Sequence, residues 1–369
     1  MNKPLSRRAL LGGLASTAAM AGSGLAIPIR AAHAFGPAPG IVRLSANENP
    51  YGPSPRALEA MAEAAAKGAY YPGAVRNELV TMIADANGID TDGVVISSGS
   101  AEALSAATVA WAREGRIVAP ALTFSAHLNY AERLGARIQR IPLTAELDTD
   151  LEAIEAAIDD DVSLVYICNP NNPTGIDIDP DTLRAFCRRV GRRAVVLVDE
   201  AYNELAAVPA KQSMMDLVRA GENAVVVRTF SKIFGLAGLR IGYSMSPPQH
   251  AETIRRHVMS WPNIVGFAAA VATYQDDAFL DYSRAKVAEG RELVMDVFKR
   301  HEVPCLRSEA NYVYADIGRD ADEFQRRMYQ RGVQIRGAYS PYSTYSRVSM
   351  GRIEDLEVFA RVFHEVYTA

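Results

Sequence analysis

Cysteine is scarce in this sequence: 369 residues contain only Cys168, Cys187 and Cys305, an odd number set far apart. They supply neither a disulfide framework nor a metal-ligand spacing. Also missing are HExxH, paired CxxC and GxxxxGKS/T patterns, so zinc-protease and Walker-type phosphate chemistry have no support. Positive charge is not in excess, with 39 Lys and Arg against 43 Asp and Glu, a net charge of −4. The first 34 residues hold Lys3, Arg7, Arg8 and Arg30 and no acid, so the remainder carries −8. An acidic body argues against nucleic acid or an anionic membrane as the main partner. None of the six histidines falls in a motif. Apolar residues are plentiful at 49%, ample for a buried core, and the length implies about two domains.

Residues 1–34 read as a targeting segment. Ser6-Arg7-Arg8-Ala9-Leu10-Leu11 opens an uncharged stretch over 9–29 that closes in Ala32-His33-Ala34, a small-x-small site where a signal peptidase could cut. The paired arginines resemble a twin-arginine export signal. The stretch reaches the ~20 residues that span a bilayer. Small residues and proline outnumber its large apolar side chains two to one, which disfavours permanent insertion. An uncleaved anchor and a disordered tail are the competing readings. The expectation is a mature chain starting near Phe35 and working in the periplasm.

Residues 35–53 are expected to form an N-terminal arm, because 41–53 are too rich in Asn, Pro and Gly for a regular element. Helical spacing runs over 55–67. Short β-branched runs then alternate with helical patterns, the signature of βαβ units and a mostly parallel sheet. The predicted strands are 94–97, 116–119, 137–141, 164–168, 194–198, 224–229 and 240–245, with helices at 104–113, 128–134, 151–158 and 182–190. After residue 282 a long charged helix (284–300), short strands near 312–315, 332–335 and 347–350, and a closing helix (354–367) predict a smaller α+β domain over 283–369. The large domain is thus expected over 54–282.

Four segments just past predicted strands carry chemistry, where open α/β sheets bind ligands. Thr229-Phe230-Ser231-Lys232 offers hydroxyls and an amine, with Arg240 eight residues on. Partial burial and cationic neighbours lower a lysine's pKa and free its amine to attack a carbonyl, while the hydroxyls and Arg240 suit a phosphate dianion. Asp199 ends the apolar run Val195-Val196-Leu197-Val198 and needs a partner there, with Tyr202 three residues on. Cys168-Asn169-Pro170-Asn171-Asn172-Pro173-Thr174-Gly175 places two X-Pro bonds in a fixed turn. Ser97-Ser98-Gly99-Ser100-Ala101 is a small-residue turn into a helix, whose free N–H groups make an anion site. Taken singly, these are weak signals that read as a solvated lysine, a helix-capping aspartate and ordinary turns.

Together, and with Asn47-Glu48-Asn49-Pro50-Tyr51-Gly52-Pro53, Tyr71-Pro72, Gly235-Leu236-Ala237-Gly238-Leu239-Arg240 and Arg347-Val348-Ser349-Met350-Gly351, the segments resemble the fold-type I pyridoxal-phosphate (PLP) enzymes. Within these, the chain is most similar to the histidinol-phosphate aminotransferase branch of the class I/II aminotransferases. The resemblance implies an aspartate-aminotransferase-like α/β fold, with a mostly parallel seven-stranded sheet in the PLP-binding large domain.

It also implies roles. Lys232 would carry PLP as a Schiff base and shuttle the substrate's α-proton. Asp199 would hold the pyridinium, while Asn172 and Tyr202 bind the phenolic oxygen. Ser100, the Ala101 backbone, Thr229, Ser231 and Arg240 would hold the phosphate, joined by Tyr71 from the partner of a homodimer. Phe124 would stack on the ring. Arg347 would clamp the substrate α-carboxylate, with Asn47 and Arg336 also at the substrate. Tyr339, Tyr342 and Tyr345 could line a side-chain pocket or pack the small domain. Tyr71-Pro72-Gly73-Ala74 departs from the branch's Tyr-Pro-Asp-Pro. The implied activity is amino transfer from an L-amino acid to a 2-oxo acid. A PLP lyase or decarboxylase of the threonine-phosphate decarboxylase type is the alternative, and a non-catalytic exported binding protein the third.

Overall fold

The computed structural model describes residues 36–206 and 208–369. Residues 1–34, expected from the sequence to be a targeting segment, lie outside the described residues. From Val42 onward the chain packs as one compact unit.

Its centre is a seven-stranded sheet. In chain order the strands of the whole chain are β1 (Val42–Leu44), β2 (Val94–Ser97), β3 (Arg116–Pro120), β4 (Ile138–Ile141), β5 (Val162–Cys168), β6 (Val195–Asp199), β7 (Ala224–Thr229), β8 (Gly242–Met245), β9 (Tyr312–Asp316), β10 (Val333–Ile335) and β11 (Tyr345–Ser349). The large sheet runs β2-β8-β7-β6-β5-β3-β4. Only β8 runs against its neighbours, β2 and β7. This is the α/β, mostly parallel sheet that the sequence predicts.

The apolar runs explain it. Parallel strands covered on both faces must be apolar at nearly every position. Along β6 and β7 the buried side chains alternate between two cores: Val196, Val198 and Val226 face one, while Val195, Leu197, Val225 and Val227 face the other. Each such side chain contributes roughly 1.5–3 kcal/mol on burial. Helices Ser100–Trp111 and Pro248–Arg255 cover one face, with helices Gly73–Asn87, Pro180–Val190 and Ile264–Tyr274 on the other. Asp179 caps Pro180–Val190 by accepting from the Thr182 N–H.

Two expectations need correction. The arm does contain an element, because Val42–Leu44 pairs in parallel with β10, Val42 opposite Val333. Its apolar residues find an edge in the C-terminal part, a long-range partner that local composition does not reveal. Nor does the chain change texture cleanly after residue 282, since helix Asp277–Arg300 runs straight through that position. Asp276 starts it by accepting from the Phe279 N–H. Beyond it, β9 and β11 pair antiparallel, and Phe298, Phe324, Phe359 and Phe363 pack the helices there together. Among the described residues no helix is long and apolar enough to cross a membrane.

Candidate active site

The carboxyl ends of β5, β6 and β7 converge on one place, bringing Asn172, Asp199, Thr229 and Lys232 together. Lys232 is partly buried in the turn after β7, its Nζ over the Tyr202 ring at 5.5 Å from the centroid. Burial first, and then the Arg347 charge, lower its amine to about 8, against the pull of Asp199 and Glu48. The predicted reactive amine is therefore available near neutral pH.

Asp199 is 2% exposed, and among the described residues it has no salt bridge. Tyr166 donates its hydroxyl to Oδ2 at 3.2 Å and the Ala201 N–H donates to Oδ1 at 3.1 Å. Burial outweighs both and lifts the carboxyl to about 6. A carboxylate so placed lacks a cation, and a protonated ring nitrogen would supply one.

At the opposite end stands an anion cradle. Gly99 (φ +80°) starts helix Ser100–Trp111, and a Cβ there would collide with the Arg240 guanidinium. A Cβ on Gly242 would strike the Ser100 backbone nitrogen, so glycine is required at both places. Arg240 Nη1 donates to Ser231 Oγ at 3.3 Å, and the Ser231 N–H donates to Thr229 Oγ1 at 3.1 Å. Hydroxyls, a guanidinium and a helix N-terminus meet here, as a phosphate requires.

These ends bound a cavity of about 230 Å³ lined by Ser100, Ala101, Phe124, Asn172, Asp199, Tyr202, Thr229, Ser231, Lys232 and Arg240. Every cofactor residue expected from the sequence is present except Tyr71, which is 93% exposed and lines no part of its own chain's site. A second cavity, about 440 Å³, adjoins it and shares Lys232, Asn172 and Phe124. Arg347, Arg336, Tyr339 and Asn47 line this one. Tyr342 and Tyr345 instead pack with Tyr314 behind it. A cavity of about 470 Å³ between Gly88 and Pro248 offers no lysine, histidine or cysteine.

Arg347 is 5% exposed, donating from Nη1 to Asn172 Oδ1 at 2.6 Å and from Nη2 to the Ser45 carbonyl at 2.8 Å. Its Nε has no partner. Asn47 is committed inside the protein: Nδ2 donates to Tyr202 OH at 3.0 Å and Oδ1 accepts from Ser349 at 2.6 Å. That leaves its amide little capacity for the substrate contact expected of it. Sequence reasoning missed Glu48, Tyr166 and His127. Glu48 lines the smaller cavity and pairs with Arg43 at 2.5 Å. Tyr166 lies two residues before Cys168, on the β5 face beside Asp199, a period-two signal that was there to use. His127 packs between Phe124 and Tyr166, and burial holds its imidazole down to about 3.

Residues 39–363 match the family model described as aminotransferase class I and II. The chain belongs to that family. A histidinol-phosphate aminotransferase of Moorella thermoacetica is 34% identical over 330 residues, covering 88% of this chain and 85% of the relative. That of Symbiobacterium thermophilum is 36% identical over 299 residues, 80% of this chain and 82% of its own. The crystal structure of histidinol-phosphate aminotransferase from Sinorhizobium meliloti, in complex with pyridoxal-5'-phosphate, superposes with a TM-score of 0.79 at 29% identity, covering 89% of this chain and 91% of that one.

Proposed function

We propose that this aminotransferase uses pyridoxal phosphate on Lys232 to move an amino group from an L-amino acid to a 2-oxo acid. The observation that carries this is the position of Lys232, the only titratable side chain lining both cavities. The cofactor supplies a carbonyl for the amine and, with its ring nitrogen protonated, an electron sink. Asp199 would hold that proton in place, while Ser100, Thr229, Ser231 and Arg240 would hold the phosphate. Arg347 fixes the α-carboxylate, and Lys232 Nζ takes and returns the proton at the α-carbon.

The substrate side chain lies toward Arg336 and Tyr339, whose guanidinium and ring are 5.1 Å apart. The names of similar proteins point to a phosphorylated substrate, which Arg336 would meet; Tyr339 would hold an aromatic one. Lyase or decarboxylase chemistry uses the same residues, and family membership favours transfer. The active unit in this proposal is a homodimer, with Tyr71 completing the partner's phosphate site. Export through a twin-arginine signal at Arg7-Arg8, followed by cleavage after Ala34, would place the enzyme in the periplasm with its cofactor loaded.

The decisive experiment follows the spectrum of bound PLP through a panel of amino acids. Transfer gives an amino-acid-dependent change that a 2-oxo acid reverses, whereas a decarboxylase releases carbon dioxide without that reversal. Replacing Arg7 and Arg8 by Lys should strand full-length, cofactor-loaded protein in the cytoplasm; unchanged export would refute the route.

A further inference from the structure

Tyr202 is buried, and its hydroxyl meets two side-chain amides, Asn172 Nδ2 at 3.2 Å and Asn47 Nδ2 at 3.0 Å. The first amide is a donor by necessity. Asn172 Oδ1 accepts from Arg347 Nη1, and a guanidinium has no acceptor, so the amide nitrogen must face Tyr202. The second is oriented by Ser349. That hydroxyl accepts the Asn47 backbone N–H at 2.9 Å and donates to Asn47 Oδ1 at 2.6 Å, which turns Nδ2 toward Tyr202. Asn47 is 1% exposed and holds φ at +55°, a conformation asparagine tolerates better than most residues. Its carbonyl is tied to Asn311 Nδ2 at 3.0 Å.

With both amides donating, the phenol oxygen is filled as an acceptor and its own proton is left for the cavity. Burial pushes the phenol above its usual value, so the proton stays on through the neutral range. Reversing the Asn47 amide would present Oδ1 to Tyr202 and draw that proton inward.

We propose that Asn47 is a positioning residue which, oriented by Ser349, fixes the Tyr202 hydroxyl as a hydrogen-bond donor aimed into the cofactor cavity. The proposal rests on the pyridoxal-phosphate reading above. In this proposal Asn47 acts on the cofactor through Tyr202, so an isosteric change at Asn47 alters what Tyr202 donates while leaving the room in the site nearly unchanged.

The test measures PLP affinity and the pH titration of bound-cofactor absorbance in wild type, Asn47→Asp, Ser349→Ala, Tyr202→Phe and the Asn47→Asp/Tyr202→Phe double variant. Above neutral pH a carboxylate at position 47 only accepts, and so captures the Tyr202 proton. Asn47→Asp should weaken PLP binding about tenfold to a hundredfold, the worth of one strong hydrogen bond. It should also displace the titration midpoint in the same direction as Tyr202→Phe. In the Tyr202→Phe background, the same substitution should add less than about twofold. Ser349→Ala, which frees the amide to rotate, should give a smaller displacement of the same sign, and it stands in if Asn47→Asp does not fold. A wild type that binds no PLP would refute the cofactor reading itself. If wild type binds PLP, the Asn47 assignment falls on either of two results: unchanged midpoints in both variants, or an Asn47→Asp effect that persists undiminished without the Tyr202 hydroxyl.

Discussion

Arg347 and Asn172 are joined by a 2.6 Å hydrogen bond that ties the proposed carboxylate anchor to the turn after β5. Arg347 comes from β11, 175 residues further along the chain. The same guanidinium helps lower the Lys232 amine, so in the proposed reaction substrate binding and lysine basicity would meet in one side chain.

A first prediction separates the two arginines of the substrate cavity. A bidentate pair with a carboxylate is made of charge-assisted bonds of ~1.5–3 kcal/mol each. Arg347→Lys should therefore lower kcat/KM by about a hundredfold or more for every amino acid, because an ammonium cannot reproduce the planar fork. Arg336→Ala should act selectively, hurting phosphorylated or acidic substrates and sparing aromatic ones. Half-reaction kinetics across the three classes decide it, and an equal loss everywhere would remove Arg336 from side-chain recognition.

The second concerns Lys232 before it carries cofactor. Its amine sits at about 8, so the neutral, nucleophilic form grows as pH rises through that value. The rate of PLP attachment to cofactor-free protein should climb with pH, with a midpoint near 8, and then level off. Arg347→Ala removes a positive neighbour and should move the midpoint upward, while Arg347→Lys keeps the charge and should leave it nearly in place. A midpoint indifferent to Arg347→Ala would show that burial alone sets the lysine.

Much of this site is legible in sequence because short-range rules place it. Asp199, Thr229 and Lys232 follow apolar β-branched runs, and strand periodicity puts such residues at the carboxyl edge of the sheet. Arg347 was identifiable from its motif, but its 2.6 Å contact with Asn172 was not, since nothing local links residues that far apart. The same limit hid β1, whose partner β10 lies near the far end of the chain. Helix Ile264–Tyr274 escaped for another reason. Its Ile-Val-Gly-Phe-Ala-Ala-Ala-Val-Ala-Thr-Tyr text is apolar nearly all round, so it shows no helical stripe to read.

Asp199 yields the third prediction. Its carboxyl is held at about 6 in the fold, against the ordinary aspartate value of 3.8. Between those values the folded state keeps a proton that the unfolded state has lost, so stability falls as pH rises through the window. Two units correspond to roughly 3 kcal/mol. Asp199→Asn should abolish that fall in cofactor-free protein and make it more stable at pH 7 by up to this amount, while weakening PLP binding. Denaturant unfolding of both proteins at pH 4 through 7 checks it; identical profiles for wild type and Asp199→Asn would mean that Asp199 is not a buried acid held above its ordinary value.

The last prediction asks which chain Tyr71 serves. The residue is 93% exposed, beside Tyr70 at 71%, and it lines neither of the two site cavities of its own chain. Two exposed aromatic rings side by side mark a surface suited to a partner, in keeping with the proposed homodimer. If Tyr71 completes the neighbour's phosphate end, a subunit lacking Lys232 still donates a sound Tyr71 to its partner. Mixing Lys232→Ala chains with Tyr71→Ala chains then creates one intact site in each mixed dimer. Random exchange makes half the dimers mixed, so activity should rise toward about a quarter of wild type. Lys232→Ala alone should be inactive, and Tyr71→Ala alone should be weakened by poor cofactor retention. If Tyr71 instead serves its own chain, no mixed dimer contains a complete site, and activity after exchange should never exceed the average of the two parents. Refolding the mixture at several ratios and following turnover at saturating and limiting PLP distinguishes the cases, because a complemented site recovers cofactor affinity as well as rate.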